Sequence, residues 1–191
     1  MKLQVYITQP FEQSNFKWKW TNRLYKNLDL TKINFYDPQY EEQRKTGKSL
    51  IEDINLTHNY FINKDYNKLQ KTMDIVWWAK NAPKNKIQYL YKLKQNINKN
   101  KWGDIGGVIN SDFIIAYLPP NCKTVGAHYE MFLAYLFNIP IYLIMPGVKY
   151  KTRLMRSKLF NKSQFMVVNS AGAWFWTIKD CINFIKKKYN I

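Results

Sequence analysis

The chain has 191 residues and a formal net charge of +17, from 30 Lys and Arg residues against 13 Asp and Glu residues. Its content of 46% hydrophobic and 17% aromatic residues excludes a disordered tail and predicts one folded domain over residues 1–191. The two cysteines have no metal-ligand spacing, and no stretch approaches the roughly 18 apolar residues that a membrane span needs. We therefore expect a cytoplasmic protein without membrane contact.

The positive charge has two interpretations. A surplus of this size is typical of proteins that bind nucleic acid or another polyanion. Here, however, Lys far outnumbers Arg and the lysines are scattered along the chain, which favours a bias of composition. Nucleic acid is therefore a candidate partner that the sequence does not favour. Small anionic substrates would be attracted under either interpretation.

The first part of the chain predicts a strand, a helix and a second strand. Leu3 to Thr8 is a short apolar run that ends at a Gln-Pro pair, and large apolar residues recur every four or five positions from Phe11 to Leu28. Ile33 to Tyr36 is the second strand candidate. Residues 39–47 read QYEEQRKTG, which is polar without a period and predicts a loop.

The middle region, residues 48–101, is longer than a connection between two strands requires. Ser49 is suited to cap a helix through Asn55, Met73 to Ala79 is apolar enough for a strand or a buried helix, and positions 87, 90, 93 and 97 form a helical stripe. We interpret this region as a helical insertion that shapes a lid or an oligomer contact. A short helix over residues 105–110 follows, with Asp104 as its candidate N-cap.

The stretch from residue 110 to residue 145 predicts the central unit of the fold. Two apolar runs, Phe113 to Leu118 and Ile139 to Met145, flank a helix that opens at Thr124-Val125-Gly126. This strand–helix–strand pattern indicates a parallel sheet. We therefore predict an α/β fold, a doubly wound, flavodoxin- or Rossmann-like parallel sheet of about five strands with helices on both faces. Ligands bind such sheets at the carboxyl edge, beside the loop that follows the first of these runs.

The last part of the chain begins with a basic segment. Residues 149–158 read KYKTRLMRSK, and Phe165 to Val168 is a candidate edge strand. Residues 169–176, NSAGAWFW, predict a turn of small residues with aromatics. The final helix is expected to begin at Thr177 or Asp180, and its lysines near the C-terminus suit the helix dipole.

The available side chains favour carboxylate chemistry. No phosphate-binding loop, nucleophile elbow, zinc motif or complete dinucleotide motif is present, and two histidines supply a triad or a metal site poorly. Glu130 lies near the start of the central helix, where the helix dipole keeps a carboxylate ionised. Such a carboxylate can attack an anomeric carbon, as in retaining glycosidases. The alternative is a Glu that only stabilises the helix.

The segment TVGAHYEMFLAYLFNIPIYLI, residues 124–144, resembles the active-site region of the nucleoside 2-deoxyribosyltransferase family. In that family a Gly-containing turn leads into a helix that carries the catalytic Glu. The resemblance extends over Asp104 to Met145 and to the first strand. It implies that Glu130 is the nucleophile, that the Tyr6 hydroxyl holds it in place, and that Asp104 contacts the substrate and supplies a proton. Thr124 stands where the family often has an Asp that grips the sugar.

The resemblance also implies the reaction and its partners. Glu130 would displace the base from a 2′-deoxynucleoside, and a second base or water would then take the sugar. The substrates would be a nucleoside or nucleotide and a nucleobase, with no metal or organic cofactor and a homo-oligomeric enzyme. The remaining substrate-binding candidates are Thr124, Gly126, Asp112 and, for stacking on the base, Phe11, Tyr36 and Tyr40. Each aromatic has the alternative of a core or surface residue, and Asp112 that of a turn residue.

Three other functions stay open from the sequence. A deoxynucleoside 5′-monophosphate N-glycosidase would use water as the acceptor, and the basic surplus would favour its phosphate-bearing substrate. A non-catalytic module would bind nucleotides or nucleic acid on the same fold. Action on bases within DNA or on modified nucleotides is the third, and no residue identifies such a substrate.

Overall fold

The computed structural model describes residues 2–10, 19–80, 82–95, 102–119, 124–146 and 172–191. Contacts divide the chain into two compact units, one formed by residues 1–35 and 111–191 and one by residues 36–110. We call them the sheet unit and the helical unit. The helical unit is wider than the insertion predicted over residues 48–101. Within the described residues, no helix is both long and apolar enough to cross a membrane.

Five strands form one sheet with the order β2-β1-β3-β4-β5, and β1, β3, β4 and β5 pair in parallel. Their bounds are β1 Leu3–Thr8, β2 Ile33–Tyr36, β3 Phe113–Tyr117, β4 Ile141–Ile144 and β5 Ala173–Phe175. The turn predicted over residues 169–176 is wrong at Ala173–Phe175, which form β5. The sequence did not reveal this strand, because three residues are too few to show an alternating pattern. The edge strand predicted at Phe165 to Val168 lies outside the described residues.

The described residues form eight helices. Their bounds are α1 Lys19–Asn27, α2 Pro38–Thr46, α3 Leu50–Ile62, α4 Tyr66–Trp78, α5 Lys86–Lys94, α6 Asp104–Ile109, α7 Gly126–Leu136 and α8 Ile178–Tyr189. The stretch that the sequence left open between strand and helix, Met73 to Ala79, belongs to α4. Ser49 caps α3 in a capping box with Glu52, and α3 extends well past Asn55.

The sheet packs against helices on both faces, because successive side chains of each strand point to opposite faces of the sheet. Val5 and Ile7 of β1 belong to a core that also contains Leu24 of α1 and Ile182 and Ile185 of α8. Tyr6 and Thr8, at the alternate positions, hydrogen-bond a residue of α7, and α7 packs on β1, β3 and β4. The predicted α/β fold, a doubly wound Rossmann-like parallel sheet, is therefore confirmed.

The strand order places a topological switch point between β1 and β3. The chain moves from β1 outward to β2 on one side, and from β3 through β4 to β5 on the other. At such a point the loops after the two central strands separate and leave a crevice at the carboxyl edge of the sheet. The carboxyl ends of β1 and β3 therefore mark where a ligand is expected.

The loop predicted over residues 39–47 is wrong, because Pro38–Thr46 is helix α2. Pro38 occupies the first helical position, and the Asp37 carboxylate accepts a hydrogen bond from the Gln39 amide at 3.0 Å. The helix has no apolar stripe because two of its inward-facing residues are charged. Glu42 and Lys45 are buried and form an ion pair of 2.8 Å.

The start of α6 also differs from the prediction. Gly103, not Asp104, is the N-cap residue, and Asp104 is the first helical residue. A β-carbon at Gly103 would collide with the backbone carbonyl of Trp77 in α4. Glycine at this position therefore allows the backbones of α4 and α6 to approach each other closely.

Candidate active site

Glu130 lies in the buried face of α7. The buried residues of this helix are Ala127, Glu130, Met131 and Ala134, at the i, i+3, i+4, i+7 spacing of a face packed on a core. Glu130 is 5% exposed, although a carboxylate is rarely buried without partners. A charged residue in an otherwise apolar face is the first sign that this position serves more than packing.

Two hydroxyl groups of β1 hold the Glu130 carboxylate. The Tyr6 hydroxyl donates to Oε1 at 2.7 Å, and the Thr8 hydroxyl donates to Oε2. Because residues two apart on a strand point to the same face, Tyr6 and Thr8 both project toward α7. Both are fully buried, so these bonds form where water competes least. The carboxylate is thereby oriented at the carboxyl end of β1, beside the switch point.

The start of α7 adds a favourable field. Glu130 is four residues after Gly126, so it lies about 6 Å along the axis from the first helical residue. No acidic residue occupies the first turn of α7. This field favours the ionised carboxylate only weakly, because Glu130 is in the second turn and the effect of the helix dipole falls off within the first turn.

Asp104 is part of an ion-pair cluster in the helical unit. The Lys45 ammonium lies 2.7 Å from Asp104 Oδ1 and 2.8 Å from Glu42 Oε2, and it donates to the Val76 carbonyl at 3.4 Å. Burial raises the pKa of the Asp104 carboxyl, and the two carboxylates keep the pKa of Lys45 above its usual value in spite of burial. The catalytic role that the resemblance implies for Asp104 stays a prediction.

Asp112 lies at the opposite edge of the sheet from Glu130. It precedes β3, its carboxylate accepts from the Gln4 amide at 2.7 Å, and its own amide donates to the Gln4 carbonyl at 2.8 Å. This contact extends the pairing of β1 and β3 at their amino ends. The structure thus gives Asp112 a strand-entry role and does not bring it together with Glu130.

The three aromatic residues predicted to stack on the base are found in different parts of the chain. Tyr36 is buried in the helical unit, where its hydroxyl donates to the Trp102 carbonyl at 3.3 Å. Tyr40 is on α2 and is 60% exposed. Phe11 lies outside the described residues. Stacking of any of the three on a base stays a prediction.

Thr124 and Gly126 lie at the beginning of α7. Thr124 is buried, and its hydroxyl accepts a hydrogen bond from the Ala127 amide at 3.4 Å. This bond satisfies one of the free amides at the helix start. In the part of the chain that the structure describes, a β-carbon at Gly126 would meet no atom within 4 Å. The approach of a sugar to this backbone stays a prediction.

Sequence reasoning missed Thr8 and Gln9. Thr8 could have been found from the alternation of β1, which places it on the face of Tyr6. Gln9 is 1% exposed, its side-chain oxygen accepts from the Trp20 indole, and its amide nitrogen has no partner within the described part of the chain. Trp20 in turn stacks on Tyr117 at 4.7 Å between ring centroids. These residues line the carboxyl ends of β1 and β3 on the other face of the sheet.

The chain was compared with known proteins. No protein-family model matches it, and no curated protein is found as a relative. The crystal structure of a conserved protein from Enterococcus faecalis V583 is similar, with a TM-score of 0.52 and 15% sequence identity over 98% of this chain and 99% of that chain. At this identity the similarity shows the fold alone. Among the described residues, no group of three or more His, Cys, Asp or Glu side chains is arranged to hold a metal ion.

Proposed function

We propose that this chain is a nucleoside 2-deoxyribosyltransferase-like enzyme. It cleaves the N-glycosidic bond of 2′-deoxynucleosides, or of their monophosphates, through a covalent glycosyl-Glu130 intermediate and transfers the sugar to another base. The observation that carries this proposal is a buried carboxylate, oriented by two hydroxyls of β1, at the switch point of a parallel sheet. The substrates are small molecules, and we expect the enzyme to act in the cytoplasm.

The first half-reaction forms the intermediate. A Glu130 oxygen bonds to C1′ as the bond from C1′ to the base nitrogen breaks, and the base leaves with that electron pair and takes up a proton. Positive charge develops on the sugar ring in the transition state, and the nearby carboxylate stabilises it. Tyr6 keeps the attacking carboxylate in position by its bond of 2.7 Å to Oε1.

The second half-reaction releases the sugar. A nitrogen of the acceptor base bonds to C1′ as the ester bond to Glu130 breaks, so the carboxylate is regenerated, and the acceptor's proton passes to the group that donated the proton in the first half-reaction. Two displacements at C1′ give net retention of configuration. The resemblance implies Asp104 as the donor of the first proton, and this role requires an Asp104 that is protonated and released from Lys45.

The test is base exchange. The protein and a Glu130→Ala variant are incubated with a 2′-deoxynucleoside and a different free base, and the products are separated by chromatography. We expect exchange with the parent protein and none with the variant. Intact-mass measurement after acid quenching should find one deoxyribosyl group on the parent protein. Absence of both exchange and hydrolysis on nucleosides and monophosphates would contradict the proposal.

A hydrolase is the second candidate. The net charge of +17 favours a substrate that carries a phosphate, as a deoxynucleoside 5′-monophosphate does. Release of the base at the same rate with and without an acceptor base identifies a hydrolase, whereas exchange identifies a transferase. A non-catalytic nucleic-acid module is a third class, and a gel shift with a steep salt dependence would favour it.

We also propose that the enzyme is a homo-oligomer. The outer side of α7 carries an apolar stripe of residues that are each more than half exposed: Val125, Tyr129, Phe132, Tyr135 and Leu136. Positions 125, 129, 132 and 136 are separated by four, three and four residues, so these side chains follow one side of the helix. Exposed apolar patches of this kind mark interaction surfaces, and the same stripe on a second copy is its complement in a two-fold dimer.

A further inference from the structure

The two oxygens of the Glu130 carboxylate have separate partners. The Tyr6 hydroxyl bonds Oε1, which is the contact that the resemblance implied, and the Thr8 hydroxyl bonds Oε2. We propose that Thr8 is a second positioning residue of Glu130, with a role equal in kind to that of Tyr6. The inference rests on the proposed function, because it concerns how Glu130 is held for attack.

The strand geometry makes the Thr8 contact a fixed one. β1 lies inside the sheet between β2 and β3, and Thr8 is in register with Ala116 of β3. Its side chain is fully buried, and branching at Cβ leaves threonine few rotamers. Because a threonine hydroxyl has one hydrogen to donate, the bond to Oε2 commits it to Glu130.

Two hydrogen bonds, one to each oxygen, restrain the orientation of the Glu130 carboxylate more than a single bond does. A bond to Oε1 alone restrains one side of the carboxylate, and a second bond to Oε2 restrains the other side, so the two together hold the plane of the group. A fixed plane keeps an oxygen lone pair directed at C1′, which is the orientation that lowers the barrier to attack. A carboxylate oxygen has two lone pairs, so a hydrogen bond to it is compatible with attack by the same group on the sugar carbon.

The two hydroxyls also act on the ionisation of the carboxylate. Hydrogen bonds donated to the charged form stabilise it over the protonated form. Removal of one donor from a buried carboxylate therefore makes protonation easier. This effect separates a positioning role from a packing role, because a methyl group that only fills space does not shift a titration.

The test compares Thr8→Val, which keeps the shape and removes the hydroxyl, with Thr8→Ser, which keeps the hydroxyl. We expect Thr8→Val to lower kcat at least about ten-fold with little change in KM, and to move the acid limb of the pH–rate profile to higher pH. Thr8→Ser should return kcat to within about three-fold of the parent and restore the acid limb. A Thr8→Val enzyme with the parent's kcat and pH profile would overturn the inference.

Thr57→Val is the matched control. Its hydroxyl lies 2.9 Å from the carbonyl oxygens of both Asp53 and Ile54 in its own helix α3 and can donate to either. Thr57→Val therefore removes a threonine hydroxyl that has no contact with Glu130. We expect the parent's kcat and pH profile from this variant. Circular dichroism and thermal unfolding of every variant show that each one is folded before its rates are compared.

A second readout does not need turnover. With glutamate labelled at Cδ by ¹³C, the Glu130 resonance is the one that is lost in Glu130→Gln, and its titration is followed in the parent, Thr8→Val and Thr8→Ser. We expect the midpoint to move to higher pH in Thr8→Val alone. If no glycosyl activity is found but this shift occurs, the proposed function fails and the positioning role stands. An unchanged midpoint in Thr8→Val overturns the positioning role.

Discussion

Two buried carboxylates in this chain have opposite kinds of partner. In the sheet unit Glu130 accepts hydrogen bonds from the hydroxyls of Tyr6 and Thr8. In the helical unit Asp104 is paired with the ammonium of Lys45, which Glu42 shares. A hydroxyl orients a carboxylate without cancelling its charge, whereas an ammonium cancels it. Attack on a sugar carbon consumes that charge, so a cationic partner would stabilise the ground state more than the transition state.

Substitutions at the two sites should therefore change different properties of the protein. The hydroxyl-held carboxylate is suited to chemistry and contributes little to folding, because its burial costs about what its hydrogen bonds return. The ammonium-held carboxylates and Lys45 contribute to folding whatever else Asp104 does, because removal of the ammonium leaves two carboxylates buried and uncompensated. Changes at Glu130 should therefore affect activity, and changes at Lys45 should affect stability.

The largest expected effect is on activity at Glu130. Glu130→Gln keeps the size of the side chain and an acceptor for Tyr6 but removes the nucleophile, so base exchange should fall by at least about a thousand-fold. The free energy of unfolding should change by no more than about 1 kcal/mol, measured by urea denaturation. A variant that retains exchange would remove Glu130 from the mechanism, and one that unfolds would make Glu130 structural.

The next effect is on stability at Lys45. Lys45→Met leaves Glu42 and Asp104 buried without their cation, and it should lower the free energy of unfolding by about 3–5 kcal/mol. The matched control is Lys68→Met, because Lys68 pairs with Asp65 at 2.8 Å but is 64% exposed. We expect less than about 1 kcal/mol there. Equal losses in the two variants would contradict the structural role of the buried cluster.

The buried cluster also predicts a pH dependence. Burial raises the pKa of the Glu42 carboxyl from an ordinary value of 4.5 to about 7, so the folded state binds the proton more tightly than the unfolded state. The resulting stability is fully present below about pH 4.5 and is lost as the pH rises through about 7, by about 3 kcal/mol at most. Urea midpoints at pH 5 and pH 8 measure it.

Glu42→Gln is the control for that prediction. The amide keeps the shape of the side chain and does not titrate, so this contribution should vanish from the difference between the two urea midpoints. If the urea midpoint changes between pH 5 and pH 8 by the same amount in the parent and in Glu42→Gln, the pH dependence comes from other groups.

The smallest expected effect is on self-association through α7. Phe132→Ser removes an aromatic side chain, 54% exposed, from the apolar stripe, and should weaken the homo-oligomer about ten-fold or more. Sedimentation or light scattering over a range of protein concentrations measures this. Tyr40→Ser, at an exposed aromatic on α2, is the control and should leave the oligomer unchanged.

The sequence predicted the parts of the fold in which apolar residues carry the pattern. The bounds of β1 and β2 agree with the predictions, and the strand–helix–strand unit around α7 has the predicted order. Helix α2 was missed because its buried side chains, Glu42 and Lys45, are charged, and a search for an apolar period does not register them. The strand β5 was missed because it is three residues long.

The sequence predicted only those site residues that belong to a recognisable motif or pattern. Glu130 was singled out from its position in the strand–helix–strand unit and from the resemblance, and Tyr6 from the resemblance alone; the Tyr6 hydroxyl lies 2.7 Å from Glu130 Oε1. Thr8 belongs to no motif, and its contact follows only when the alternation of β1 is combined with the position of α7. Asp112 precedes its strand, and residues before a parallel strand lie at the amino edge of the sheet, so its distance from the site could have been anticipated.

The register of β1 has a consequence for how the chain acquires its native state. Gln4 contacts Asp112 across 108 positions, and Tyr6 reaches Glu130 across 124. Contacts between such distant positions close large loops, which costs chain entropy and slows folding, and the pair of Lys45 and Asp104 in the helical unit closes a shorter loop of 59 positions. The Glu130 carboxylate therefore meets Tyr6 only when segments from the two ends of the sheet unit's sequence have come together. A nucleoside that binds there would act as a selective stabiliser of the finished fold.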